Sequence, residues 1–324
     1  PMSDPDFPWT GLLIGGTIVG IWYWCTDQYI VQRTLAANNI KIGRRGAIFG
    51  AYLKLLPILI FLVPGIIAFA LSIQNPEVFS IDKADRAFPM LVKTLLPVGL
   101  KGLVAGGLMA ALMSSLASVF NSCSTIFTID IYKKLKPEKS EKSLLQIGKI
   151  ATGFIVLLGI IWIPIMEKIG GGVMYQYLQN VQSYIAPPVT AVFLLGIIWK
   201  RVNSSAAITT LLAGFVLLVL RLGSEIFYQS EISSNQVVSN LMYDFATINF
   251  AHMAIFMFIF SVILCVSVSL VTSPPDYKLI IGLSFGTLTD QQKQDQRNSY
   301  DKVDVFLSIL LVILVIGILC YFTG

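Results

Sequence analysis

Apolar residues run along this chain in long blocks separated by short polar stretches, and the blocks are the length of a bilayer crossing. Crossing about 30 Å of hydrocarbon at about 1.5 Å per residue takes roughly 20 mainly apolar residues. Eight stretches meet or approach that, near 8–28, 47–72, 102–131, 145–167, 173–198, 204–222, 249–272 and 304–322. None alternates in the period-two manner of barrel strands, and only helices or closed barrels satisfy every backbone polar group in lipid. The pattern predicts an all-α polytopic bundle of about eight spans.

Composition agrees. Of the 324 residues 55% are hydrophobic and 13% charged, with a mean hydropathy of +0.76, whereas a soluble domain carries about a quarter charged residues. The formal net charge of +5 is sorted by loop rather than spread over a face. Arg33, Lys41, Arg44 and Arg45, then Lys133, Lys134, Lys136, Lys139 and Lys142, then Lys200 and Arg201, then Lys278, Lys293, Arg297 and Lys302 fall in alternate loops. The other loops hold only Lys83, Arg86, Lys93, Lys101 and Lys168. This is the positive-inside pattern, which predicts that both termini are outside and gives no support to a nucleic-acid partner. Cys25, Cys123, Cys265 and Cys320 lie in apolar spans without metal-ligand spacing and read as packing residues. His252 is the single histidine and reads as a polar residue near an interface. The chain starts at Pro1 without an initiator methionine or a signal-peptide pattern, so it reads as a piece of something longer.

The loops differ in character. Residues 72–101 carry both charge signs and suit an outer loop containing a short helix; residues 223–248 lack Lys and Arg from Gly223 on, as an external segment should. Residues 273–303 open on Pro274 and Pro275 and read as polar, mobile and cytoplasmic. Pro187 and Pro188 fall inside an apolar span, where each removes a backbone donor and predicts a kink.

Polar groups within spans cost roughly 2.5–3.5 kcal/mol on insertion scales, so they mark sites or pathways. Trp22 to Gln28 sets aromatic rings beside hydroxyl, carboxylate and amide groups, which suits either a saccharide surface or an interfacial aromatic belt. Lys54 either snorkels to the interface or donates to a substrate oxygen. Ser114, Ser115, Ser118, Ser122 and Ser124 share one span; they serve either close helix packing or a monovalent-cation site built from hydroxyls and carbonyls. Tyr175, Gln176, Tyr177, Gln179, Asn180, Gln182, Ser183 and Tyr184 form a run of amides and phenols at membrane depth, directly before the proline pair. No nucleophile, base and orienting group recur at catalytic spacing, and no filter motif of an ion channel is present.

The segments WYWCTDQYIVQR (Trp22 to Arg33), YLKLLP (Tyr52 to Pro57), LMSSLASVFNSCSTIFTIDIY (Leu112 to Tyr132) and YLQNVQSYIAPPVTAVFLLGIIWKRVN (Tyr177 to Asn203) together resemble the sodium/glucose cotransporter branch of the sodium:solute symporter family. The resemblance extends to about residue 275. It implies the LeuT-like fold of two inverted five-helix repeats, with residues 1–200 as the second repeat (core helices six to ten) and 201–324 as three flanking helices. The first repeat is then missing from this chain, which should not transport by itself. The resemblance further implies a sodium site at the Ala111 carbonyl and the Ser114 and Ser115 hydroxyls, completed by the missing half. It implies a sugar site at Gln179, Lys54 and Tyr23, with Trp24 beside the tyrosine. Gly20 stands where relatives have Asn or Thr, which leaves the solute open between a glucose- or galactose-like sugar, myo-inositol and another polyol. The implied activity is sodium-coupled sugar symport across the plasma membrane, with sodium as the co-transported ion; a non-transporting sugar sensor is the other class of reading.

Overall fold

In a computed structural model of the chain, which describes residues 7–169, 174–228, 230, 232 and 240–322, the apolar blocks are helices. In order they are α1 (Trp9–Cys25), α2 (Gln28–Leu35), α3 (Ile40–Leu53), α4 (Val63–Gln74), α5 (Ala87–Leu95), α6 (Val98–Thr125), α7 (Glu141–Ile169), α8 (Met174–Ile198), α9 (Ser204–Phe227), α10 (Leu241–Thr247), α11 (Phe250–Val271), α12 (Asp290–Asn298) and α13 (Lys302–Phe322). Among the described residues seven helical stretches are long and apolar enough to cross a membrane, and the 17-residue α1 is a shorter apolar helix. Together these correspond to the eight blocks. Large apolar side chains such as Phe49, Leu103, Phe154 and Phe215 face outward, as they do where the surroundings are lipid rather than water.

The chain forms two compact units, Pro1–Tyr52 with Tyr175–Gly324, and Leu53–Met174. In the first, α1 and α11 cross at small residues. A Cβ at Gly15 would collide with the Ala251 carbonyl oxygen, and one at Gly11 would lie 2.8 Å from the Ala251 Cβ. Gly16, next along, meets nothing within 4 Å. Gly15→Leu is therefore expected to force α1 off α11 and to cost on the order of 1–3 kcal/mol as overpacking, with Gly16→Leu sterically silent in the same thermal-unfolding assay in detergent. Thr190 of α8 donates to the Ile18 carbonyl of α1 at 3.1 Å, a polar tie across a buried contact.

α8 runs as α-helix through Pro187 and Pro188, both buried. The pair also packs closely, for Gly214 of α9 has no room for a Cβ against the Pro188 ring. A different span is irregular. Regular α3 stops at Leu53, Lys54 and Leu55 form a turn, and a π-helical turn Ile58–Leu62 precedes α4. Pro57 explains it, having no N–H for the Leu53 carbonyl one turn back.

Residues 273–303 contain local structure of their own. Thr289 and Gln292 form a capping box at the start of α12. Arg45 binds Asp304 at 2.9 Å and Asp301 at 2.7 Å, Lys41 binds Asp301 at 3.1 Å, and Tyr52 donates to the Leu307 carbonyl at 2.7 Å. Lys200 donates to the Gly286 carbonyl and Phe285 to the Ile197 carbonyl. Three of the four basic loops thus meet at one end of this unit. The backbone N–H of Val303, then Lys41, hold the Asp301 carboxyl below its ordinary value. A carboxyl shifted down stabilises the fold above its unfolded value and stops doing so only as pH falls through the lowered one, so this anchor is intact at neutral pH.

In the second unit, Ala68, Phe79 and Leu91 bury a small core between α4, its following loop and α5. Ser124 of α6 donates to the Gly148 carbonyl of α7 at 2.6 Å, so the C-terminal part of the serine helix is a packing seam.

Candidate functional site

The first unit contains a cavity of about 380 Å³, within the usual range of small-molecule sites. Its walls are three helices. From α1 come Leu12, Gly15, Gly16, Val19, Gly20 and Tyr23; from α8 come Gln179, Gln182 and Ser183; from α11 come Phe250, Ala251 and Ala254. Each wall follows from local sequence. The glycines of α1 recur on one face, and Gly16 and Gly20 leave space that a side chain would otherwise take. Gln179, Gln182 and Ser183 are three and four residues apart and share a helix face. Asn249 caps α11 by accepting from the Ala251 N–H at 2.9 Å, which sets where Phe250 enters the wall.

The chemistry is two amides, a phenol and a hydroxyl against apolar surface. A primary amide offers donors and an acceptor together, which matches a neutral polyhydroxylated solute; cations and acids among the lining residues are absent. Tyr23 is half-buried, with its ring edge-on to Trp24 at 5.4 Å. The Tyr175 hydroxyl accepts from the Gln179 amide at 3.1 Å.

The sequence-predicted residues are distributed as follows. Tyr23 and Gln179, far apart in sequence, line the one cavity. Trp24 packs on Tyr23 and is itself 46% exposed, outside the lining. Lys54 is exposed in the turn after α3 and belongs to the other unit, as do Ala111, Ser114 and Ser115. Those last three occupy an exposed face of α6, whereas Ser122 and Ser124 are buried. The five serines thus divide: the lower pair, Ser122 and Ser124, is buried, and Ser114 and Ser115 are exposed, with Ser118 between the two.

One group within the spans has no role in the sequence reading. Arg221 of α9 is 3% exposed and pairs with Glu225 at 2.9 Å. Its charge in an apolar block was the available signal, since an intramembrane cation needs a partner. Removing one member of such a pair costs about 3–5 kcal/mol. His252, at the start of α11, is within 3.0 Å of the Thr10 hydroxyl.

The chain is similar to known proteins over most of its length. The family model described as "Sodium:solute symporter family" matches residues 2–214. The human protein named sodium/myo-inositol cotransporter 2 is 38% identical over 306 residues, covering 90% of this chain and 45% of that protein. The rabbit sodium/glucose cotransporter 1 is 39% identical over 286 residues, covering 85% and 43%. This chain therefore spans less than half the length of these relatives. Among solved structures, a Na+-coupled sialic acid symporter in a substrate-bound outward-open state superposes with a TM-score of 0.59 at 24% identity, covering 82% of this chain and 51% of that one; the LeuT-like helical fold expected from the sequence is thereby shared. With its membrane-spanning helices and a family match across two-thirds of its length, this multi-pass membrane protein belongs to the sodium:solute symporter family, a family of transporters rather than enzymes.

Proposed function

We propose that this chain supplies the solute-binding half of a sodium-coupled symporter for a hexose-sized sugar or polyol. The observation that carries the reading is the shared cavity: an amide, Gln179, and an aromatic ring, Tyr23, brought together from helices α8 and α1 in a chain whose relatives are named as sodium/glucose and sodium/myo-inositol cotransporters. Residues 1–200 act as the second five-helix repeat and 201–324 as flanking helices, a division supported by the end of the family match at residue 214. Tyr23, with Trp24 behind it, closes the solute in, and Gln179 donates to its hydroxyls. The Ala111 carbonyl and the Ser114 and Ser115 hydroxyls hold sodium together with oxygen ligands from outside this face.

Alternating access then follows the general logic of these folds: both ligands bind from one side, and the repeats rock to release them on the other. The meeting of Lys41, Arg44, Arg45, Lys200 and Arg201 at one end of the first unit supports placing that end in the cytoplasm of a plasma-membrane protein with both chain ends outside. A glucose- or galactose-like sugar is the first reading of the solute. Myo-inositol is the second, supported by relatives named as sodium/myo-inositol cotransporters.

Binding is reciprocal, so sodium must raise solute affinity by the factor by which solute raises sodium affinity. The test is equilibrium binding of radiolabelled glucose and myo-inositol to the purified full-length protein in sodium and in choline. Tighter binding of one of them in sodium supports the reading; equal binding in the two salts overturns coupling, and no binding of either overturns the solute class.

A further inference from the structure

Arg221 serves neither the solute reading nor the sodium reading. Its guanidinium makes three directed contacts inside the first unit. Nε donates to Glu225 Oε1 at 2.9 Å and to the Tyr184 hydroxyl at 3.2 Å, and Nη2 donates to the Ile248 carbonyl at 2.8 Å. The Tyr184 hydroxyl donates to the same Glu225 oxygen at 2.5 Å. The guanidinium carbon also lies 5.4 Å from the Tyr184 ring centre and 5.7 Å from that of Phe245. Met253, Met257, Leu217, Leu218 and Leu222 pack around the tyrosine and exclude water, which strengthens each of these polar contacts.

The places where this network grips the chain matter. Tyr184 directly follows Ser183 and lies five residues beyond Gln179 on α8; Ile248 lies two residues before Phe250 and three before Ala251. Two of the three cavity walls are thus tied, at residues adjacent to their lining side chains, to one side chain on α9. That helix contributes nothing to the lining itself.

We propose that the Arg221–Glu225–Tyr184 network is a positioning device for the solute cavity. It fixes the rotation of α8 and the entry point of α11, and through them the spacing between the Gln179 and Gln182 amides and the apolar wall at Phe250–Ala254. The proposal rests on the reading of this cavity as the solute site. A guanidinium suits the task because its planar fork of donors sets angles as well as distances, which a lysine ammonium does not. Buried ion pairs are a poor means of gaining stability against apolar packing, and fixing a geometry is their better-attested use.

Tyr184→Phe keeps the ring, its packing and the cation–π contact, and removes only the hydroxyl. In sodium-dependent uptake of radiolabelled glucose and myo-inositol by the full-length protein, it is expected to raise the half-saturating solute concentration roughly three- to tenfold, because only part of the cost of losing the hydroxyl's contacts with Glu225 and Arg221 is transmitted to the cavity. Maximal uptake per transporter in the membrane stays within about twofold, because a misplaced wall weakens binding more than it slows the rocking step. Arg221→Lys shifts half-saturation in the same direction, and Glu225→Gln, which keeps an acceptor, shifts it less than Glu225→Ala. Half-saturation within twofold of the parent in Tyr184→Phe overturns the proposal. So does a fall confined to membrane protein level and maximal uptake, which is the mark of a purely structural role. Gln179→Ala is the control: a shift there with none in Tyr184→Phe overturns the network alone, and no shift in either overturns the cavity reading and the network with it.

Discussion

Gln179→Ala is expected to raise the half-saturating solute concentration roughly 5- to 150-fold, with little change in the amount of protein in the membrane. The amide lines the cavity on α8 and is held by the Tyr175 hydroxyl at 3.1 Å, so it is pre-oriented before solute arrives. Truncation leaves solute hydroxyls facing methyl groups, and an unsatisfied polar group in a closed site costs about 1–3 kcal/mol; at about 1.4 kcal/mol per tenfold that is the range given. Gln179→Glu keeps an acceptor and loses the donors, so it falls between the parent and Ala. The measurement is concentration-dependent uptake normalised to surface protein. An unchanged half-saturation in Gln179→Ala removes the amide from the site.

The second large effect is expected at α6. Ser115→Ala raises the half-saturating sodium concentration about tenfold or more and leaves solute affinity at saturating sodium nearly intact. Alkali cations are bound by oxygen dipoles, and a site of few ligands has no spare one to lose. Ser122→Ala is the matched control. Ser122 lies on the same helix but is buried at 4% exposure, within the stretch that packs on α7, so its loss alters stability rather than sodium dependence. Equal sodium curves for parent and Ser115→Ala remove α6 from the ion site. An equal shift in Ser115→Ala and Ser122→Ala reduces the effect to general disturbance of the helix.

The parts of the fold that depend on one-dimensional pattern were legible in the sequence. Span lengths follow from bilayer thickness, and the sorting of Arg and Lys by loop groups Lys41, Arg45 and Lys200 with the loop 273–303, which they meet at one end of the first unit. What was not legible depends on partners in three dimensions. The proline pair in α8 was visible, but the fit of Pro188 against Gly214 is one that no local rule contains. An irregular turn lies at Lys54, where Pro57 was the local clue. The same holds for residues 273–303: Asp301 pairs with Lys41 and Arg45, and Arg44 donates to the Ser299 carbonyl and hydroxyl, partners that lie on another helix. At the cavity, the motif resemblance pointed to Tyr23 and Gln179, and the structure brings them to one wall system. Trp24 lies outside that lining because consecutive helical residues point about 100° apart. Arg221 was visible as a charge in an apolar block, but its partners Glu225, Tyr184 and Ile248 come from three segments, so its geometry could not be read from spacing. The serine helix is an intermediate case: the period places five hydroxyls, and only the packing of α7 shows which of them are structural.

The central claim is coupling of solute movement to sodium, and concentrative uptake tests it most directly. Full-length protein in liposomes, given an inward sodium gradient, is predicted to accumulate radiolabelled glucose or myo-inositol above the outside concentration, and to lose that accumulation when choline replaces sodium. Equal uptake in the two salts, or uptake that stops at the outside concentration, would contradict it.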